Sequence, residues 1–211
     1  MPTIIHDKQL EERLQAERAA TGANRYDEVW EGTYMMAPMP NNEHQLFVAR
    51  LTRILDELIS DNDQGIVLPG ANISDRIEDW QNNYRVPDVA VFLSTNSKLR
   101  STPAENHGTF WLGGPDLAIE ILSANDQARE KLDFYSHVET QELLVIDRDP
   151  WQIELYQFQG KALELTAQAT PHEANEITLQ TCALQLKLES QPVGRPRLTA
   201  TSQSDDKSWR I

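Results

Sequence analysis

The run Pro115-Asp116-Leu117-Ala118-Ile119-Glu120-Ile121-Leu122 constrains this chain more than any other stretch. After its proline it reads as a strand, with Leu117, Ile119 and Ile121 on one face and Ala118, Glu120 and Leu122 on the other. Both faces are apolar except at Glu120, which places the strand inside a sheet covered on both sides. A carboxylate in that position is costly unless a cation, a metal or several donors compensate it. Nothing in the strand can do so, and the functional question is what the rest of the chain brings to Glu120.

With 211 residues the chain is long enough for a substantial core. The expected organisation is one domain over residues 1–189, including an amphipathic N-terminal helix at 7–20, followed by a flexible polar tail at 190–211 that is rich in Pro, Ser, Thr and charge. No apolar run is long enough to span a membrane, and the charged N-terminus lacks the apolar segment of a secretory signal. The single cysteine, Cys182, excludes an internal disulfide and suits a reducing cytoplasm, the expected location. Without Cys or His company it reads as a small buried side chain. The net charge of −14 argues against the basic footprint of a protein that grips long stretches of nucleic acid.

Along the chain, Val29 to Met36 around Gly32 reads as a strand or hairpin edge, and Asn41-Asn42 offers an N-cap to a helix from about Glu43 to Ser60. Val48, Leu51, Leu55 and Leu58 form the apolar stripe of that helix, and His44 falls on the same stripe. Ile66–Leu68 and Asn72–Ser74 are weak strand candidates, and Val86–Leu93 is a strong one. Residues 95–114 read as a long polar connection. Asp126–Val138 reads as a helix, and 143–147, 153–158, 161–165 and 177–188 as further strands.

Three ionisable side chains lie on elements expected to meet. Asp88 stands at the mouth of one strand, Glu120 in the next strong strand, and Lys131 on the helix that follows. Two carboxylates on neighbouring strands can hold a hard divalent ion such as Mg²⁺, which accepts substrate phosphate. A nearby lysine can stabilise charge on the transferring phosphoryl group. Lys131 has Gln127, Ala128, Phe134 and Tyr135 as helical neighbours and no local acid, so Glu120 is its natural partner.

In their order, Val86-Pro87-Asp88-Val89-Ala90-Val91-Phe92, Pro115-Asp116-Leu117-Ala118-Ile119-Glu120-Ile121-Leu122-Ser123, Lys131-Leu132-Asp133-Phe134-Tyr135 and Leu144-Val145-Ile146-Asp147 resemble the Uma2 family of the PD-(D/E)xK nuclease superfamily. The resemblance runs from about Tyr26 to Phe158. It implies an α/β restriction-endonuclease-like core, a mixed sheet of about five strands flanked by helices, here with an extra C-terminal β-hairpin region. It assigns Asp88 and Glu120 to a Mg²⁺ site, with Mn²⁺ as a substitute, and DNA as the substrate. The superfamily's usual lysine position is Leu122 here, so Lys131 looks like the migrated lysine of Uma2 proteins. Trp30-Glu31-Gly32-Thr33-Tyr34 and Glu43-His44-Gln45 look like the family's N-terminal acidic strand and helix-borne histidine. The usual acid position after the glycine holds Thr33, and Glu31 would supply the carboxylate from the same face of a regular strand. The family's glycine before the Leu143 strand is replaced by His137-Val138-Glu139-Thr140.

The resemblance thus implies a Mg²⁺-dependent endonuclease with Asp88, Glu120, Lys131, Glu31 and His44 at its centre, binding DNA weakly for its charge, independent of membranes and possible as a homodimer. A non-catalytic module on the same fold and a metal-dependent hydrolase of small phosphoesters are the alternatives. No target-recognition domain is visible in the sequence.

Overall fold

The two apolar runs at 89–93 and 117–121 pair antiparallel, Val89 against Ile119 and Val91 against Leu117. They form the middle of a mixed sheet in a computed structural model that describes residues 8–95, 108–122, 128–173 and 175–211. In chain order this sheet uses β3 (Gly65–Pro69), β6 (Val89–Leu93), β8 (Leu117–Ile121), β9 (Glu142–Arg148), β10 (Trp151–Phe158) and β11 (Leu163–Ala169). Their spatial order is β11-β10-β9-β8-β6-β3, with β8 and β9 parallel and the other pairs antiparallel. Among the described residues the sheet therefore has six strands where about five were expected. The weak candidate at 66–68 is its edge.

Alternation along β8 sorts the core into two layers. Leu117, Ile119 and Ile121 join Phe47, Leu51, Ile54 and Leu55 of α2 (Asn42–Leu58). Ala118 and Leu122 join Phe134 and Tyr135 of α3 (Leu132–His137). Helix α2 starts where its sequence says: the Asn41 side chain accepts the His44 backbone N–H at 2.8 Å, an N-cap bond. The N-terminal helix α1 (Lys8–Thr21) buries none of its residues. Its Arg18 holds buried Asp27 through Nε at 2.6 Å and Nη2 at 2.5 Å.

A second, smaller sheet lies against this core in the order β2-β1-β5-β4-β7, from β1 (Glu28–Trp30), β2 (Thr33–Met35), β4 (Ile73–Ser74), β5 (Tyr84–Arg85) and β7 (Trp111–Leu112). Strands β1 and β2 are joined by a two-residue turn, Glu31-Gly32, with φ of 45° and 80°. Positive φ at both central residues matches the right-handed twist of a hairpin. The segment is therefore a hairpin rather than one strand.

The polar tail expected at 190–211 is corrected by the structure. Strands β14 (Arg197–Ser202) and β15 (Ser208–Arg210) continue a third sheet begun by β12 (Glu176–Leu179) and β13 (Leu184–Glu189), in the order β12-β13-β14-β15. Leu198 and Ala200 are fully buried and share one apolar cluster with Ile177, Leu186 and Ile153. The physical reason is a period-two pattern, in which Thr199 and Thr201 occupy the outer positions of a half-buried strand. The expected helix start at 126, Gln127, Ser123 and most of the expected 95–114 connection lie outside the described residues. Ala128–Lys131 form a 3₁₀ turn that leads into α3.

Candidate active site

Asp88 stands one residue before β6, and one step beyond the pairing of Val89 with Ile119 it faces Glu120. Its Oδ2 accepts the backbone N–H of Ile121 at 2.7 Å. The Nε2 of His44 lies 3.1 and 3.2 Å from its two carboxylate oxygens. A carboxylate only accepts, so Nε2 carries the proton of this contact. The other ring nitrogen, Nδ1, is buried and has no hydrogen-bond partner among the described residues.

Glu120 receives its counter-charge from Lys131, whose Nζ is 3.0 Å from both carboxylate oxygens. The Tyr135 hydroxyl donates to Glu120 Oε1 at 2.6 Å. Lys131 and Tyr135 are one helical turn apart, so both reach down to the sheet from the same side. Burial pushes the Glu120 carboxyl up to about 8, with Glu28 and Asp88 adding to the rise and Lys131 and Tyr135 opposing it. The Tyr135 hydroxyl is pushed well above its ordinary value, first by burial and then by Glu120.

The third carboxylate is Glu28, not Glu31. Glu28 Oε1 accepts Lys131 Nζ at 2.8 Å and the Val86 N–H at 2.8 Å, and its Oε2 accepts Trp30 Nε1 at 2.6 Å. The hairpin turn sends Glu31 outward instead. Its side chain is 70% exposed and binds Asn83 Nδ2 at 2.8 Å and Arg76 Nη2 at 3.1 Å. The expectation for Glu31 assumed a regular strand, and the turn breaks that parity. The structure thus brings Asp88, Glu120, Lys131 and His44 together and leaves Glu31 out. Glu28 and Tyr135 were missed. For Glu28 a signal existed in the acid two residues before Trp30, on the same face of a short strand.

Two buried carboxylates, Glu28 and Glu120, share one ammonium, and the half-buried Asp88 stands across from Glu120, a crowding of acids that a divalent cation would relieve. The donors are hard oxygens, which suits Mg²⁺, an ion that uses one or two carboxylates and keeps several waters. Among the described residues no group of three or more His, Cys, Asp or Glu side chains forms a ready-made cage. The fit is therefore that of an open site on Asp88 and Glu120, with Lys131 sharing the Glu120 oxygens.

A mixed sheet with flanking helices, carrying paired carboxylates and a lysine near the ends of its central strands, defines a restriction-endonuclease-like α/β protein. The chain belongs to the Uma2 family, described as "Putative restriction endonuclease", whose model matches residues 10–190. The fold is also that of a solved structure titled as a "putative nuclease belonging to DUF820" from Anabaena variabilis. The TM-score is 0.57 at 19% identity, over 74% of this chain and 83% of that one. No curated protein matches the chain. Among the described residues no helix is long and apolar enough to cross a membrane.

Proposed function

We propose that this chain, a nuclease by family, is a divalent-metal-dependent endonuclease that hydrolyses DNA phosphodiester bonds. Asp88 and Glu120 would hold Mg²⁺, or Mn²⁺ in its stead, and the ion would supply a Lewis acid for the scissile phosphate. The observation that carries the reading is the buried surplus of carboxylates around Lys131.

The chain's own residues have separable tasks. Lys131 is the charge-stabilising group, because its ammonium can move from a Glu120 oxygen toward a non-bridging phosphate oxygen as charge grows there. Tyr135 keeps Glu120 oriented while Lys131 shifts, and Glu28 anchors the ammonium from the other side. His44 and the Ile121 N–H fix the plane of the Asp88 carboxylate. In the reaction a water oxygen forms a bond to phosphorus as the bond to the leaving ester oxygen breaks.

The net charge of −14 favours a second reading, hydrolysis of a small phosphate ester. Supercoiled plasmid incubated with Mg²⁺ or Mn²⁺ separates the two. The endonuclease reading requires nicking by the wild type and none by Glu120→Gln. Intact plasmid together with turnover of a chromogenic phosphodiester would favour the second. Inertness toward both would leave a non-catalytic module on a nuclease fold.

A further inference from the structure

We propose that the cavity between the β9–β10 turn and the 190–196 loop takes one unpaired nucleotide of the substrate strand, its base on Trp151 and its phosphate on Arg195. The proposal rests on the nuclease reading of the neighbouring cluster and names the form of nucleic acid that cluster meets. The cavity has a volume of about 510 Å³ and is lined by Pro150, Trp151, Gln152, His172, Gln191 and Pro196, among others. That size is in the range of small-molecule sites. Its walls combine flat apolar surfaces with amide and imidazole groups that both donate and accept, which is what a base face and a base edge require.

Position ties the cavity to the carboxylates. Trp151 is paired with Arg148 across the β9–β10 turn. The buried Arg148 guanidinium donates to the Leu122 carbonyl at 3.1 and 2.9 Å, two residues beyond Glu120. It also reaches Asn41 at 3.1 Å and Glu43 at 2.9 Å, at the start of the helix that carries His44. The cavity and the cluster therefore lie at the same end of the central sheet, bridged by Arg148. The Trp151 ring packs on Phe47 of that helix, with ring centres 5.7 Å apart.

Arg195 supplies the exchangeable charge. Its Nη1 lies 3.0 Å from Glu43 Oε2, the same oxygen that Arg148 holds, and its guanidinium is 5.9 Å from the centre of the Trp151 ring. Its side chain is 62% exposed. An exposed ion pair contributes little, so a phosphate can take the place of Glu43. Arg195 and its loop lie beyond residue 190, where the family match ends. A duplex keeps its bases stacked and cannot fill a cavity of this kind, whereas an unpaired base can. One nucleotide gripped this way also asks for far less basic surface than a long duplex does, in keeping with the acidic chain.

The test is fluorescence anisotropy of a labelled single-stranded oligodeoxynucleotide and of the blunt duplex of the same sequence, in chelator so that neither is cut. The single strand should bind more tightly to the wild type. Trp151→Leu should weaken that binding about tenfold, the scale of one lost base–aromatic stack, and leave the duplex unchanged. Arg195→Gln, on an exposed residue whose loss leaves the core intact, should weaken it and lower the salt slope by about one phosphate contact. Equal binding of the two forms, or single-strand affinity unchanged in Arg195→Gln and in folded Trp151→Leu, overturns the proposal. Glu120-dependent plasmid nicking alongside unchanged oligonucleotide affinities would sink the subsite alone. Trp151-dependent oligonucleotide binding without nicking would sink the endonuclease reading alone.

Discussion

Lys131 and Glu28 are 103 residues apart in the chain and 2.8 Å apart in the fold, and their contact joins the small sheet to the 3₁₀ turn that leads into α3. The same ammonium holds Glu120. One lysine thus fixes two carboxylates that would otherwise repel each other in a buried space.

Removing that lysine should be felt in stability as well as in turnover. Lys131→Ala leaves Glu28 buried without its cation and takes a hydrogen-bond donor from Glu120, a loss of about 3 kcal/mol or more. Lys131→Met combined with Glu28→Gln and Glu120→Gln should recover most of it, because the charges leave together. Urea denaturation of both variants checks this. A Lys131→Ala protein as stable as the wild type would mean that the ion pairs do not form in solution.

The exchange of Glu31 for Glu28 makes a paired prediction. Glu31→Ala removes an exposed side chain that holds Asn83 and Arg76 and should leave plasmid nicking within about twofold, as surface changes do. Glu28→Gln should lower it by about tenfold or more, the usual cost of losing a residue that orients a site from behind. The reverse ranking would restore the carboxylate role to the hairpin turn.

Glu120 also sets a pH dependence. Its carboxyl is pushed up to about 8 from an ordinary value of 4.5, chiefly by burial. Between those values the folded protein holds a proton that the unfolded chain has released. The stabilising contribution is complete below the unfolded value and is lost as pH rises through the folded one. Relative to Glu120→Gln, the wild type should therefore lose stability in urea from pH 5 to pH 8. Added Mg²⁺ should raise the wild-type melting temperature more at pH 8 than at pH 6, where a proton competes for the carboxylate. A wild-type-to-variant difference that ignores pH would show that Glu120 titrates normally.

What could be read in the sequence followed from local pattern. The alternation of β8 exposed Glu120 as a misfit, and the absence of a local acid around Lys131 pointed to a remote counter-charge. Asn41 announced the start of α2 by its capping chemistry. For Glu28 the local pattern offered only a same-face acid beside Trp30, and its role rests on partners 58 and 103 positions away from a three-residue strand. The 197–202 strand was lost to composition. Arg197, Thr199 and Thr201 made the segment look polar and hid the inward Leu198 and Ala200.

Cys182 offers a check on packing near the third sheet. Burial pushes its thiol up to about 12, with Glu142 adding to the effect. The thiolate is the reactive form, so native protein at pH 8 should resist alkylation by iodoacetamide, and urea-unfolded protein should be labelled stoichiometrically by mass spectrometry. Rapid labelling of the native form would place Cys182 at the surface.

The C-terminal strands give the last prediction. Strand β14 pairs with β13 over six residues, from Leu184 opposite Ser202 to Glu189 opposite Arg197, and β15 closes the sheet through Thr199, Ala200 and Thr201. Removing residues 191–211 would take Leu198 and Ala200 from the cluster that buries Leu184, Leu186 and Leu188, and leave the backbone groups on the β14 edge of β13 without partners. Truncation should therefore lower the melting temperature by well over a few degrees. A point variant separates packing from the mere presence of the segment. Leu198→Ala leaves a cavity in the shared core and should cost about 3 kcal/mol, roughly 6–12 °C for a chain of this size. Val193→Ala, at a side chain 91% exposed in the preceding loop, should change nothing measurable. Truncated protein that melts with the full-length chain would return these strands to the status of a dispensable tail.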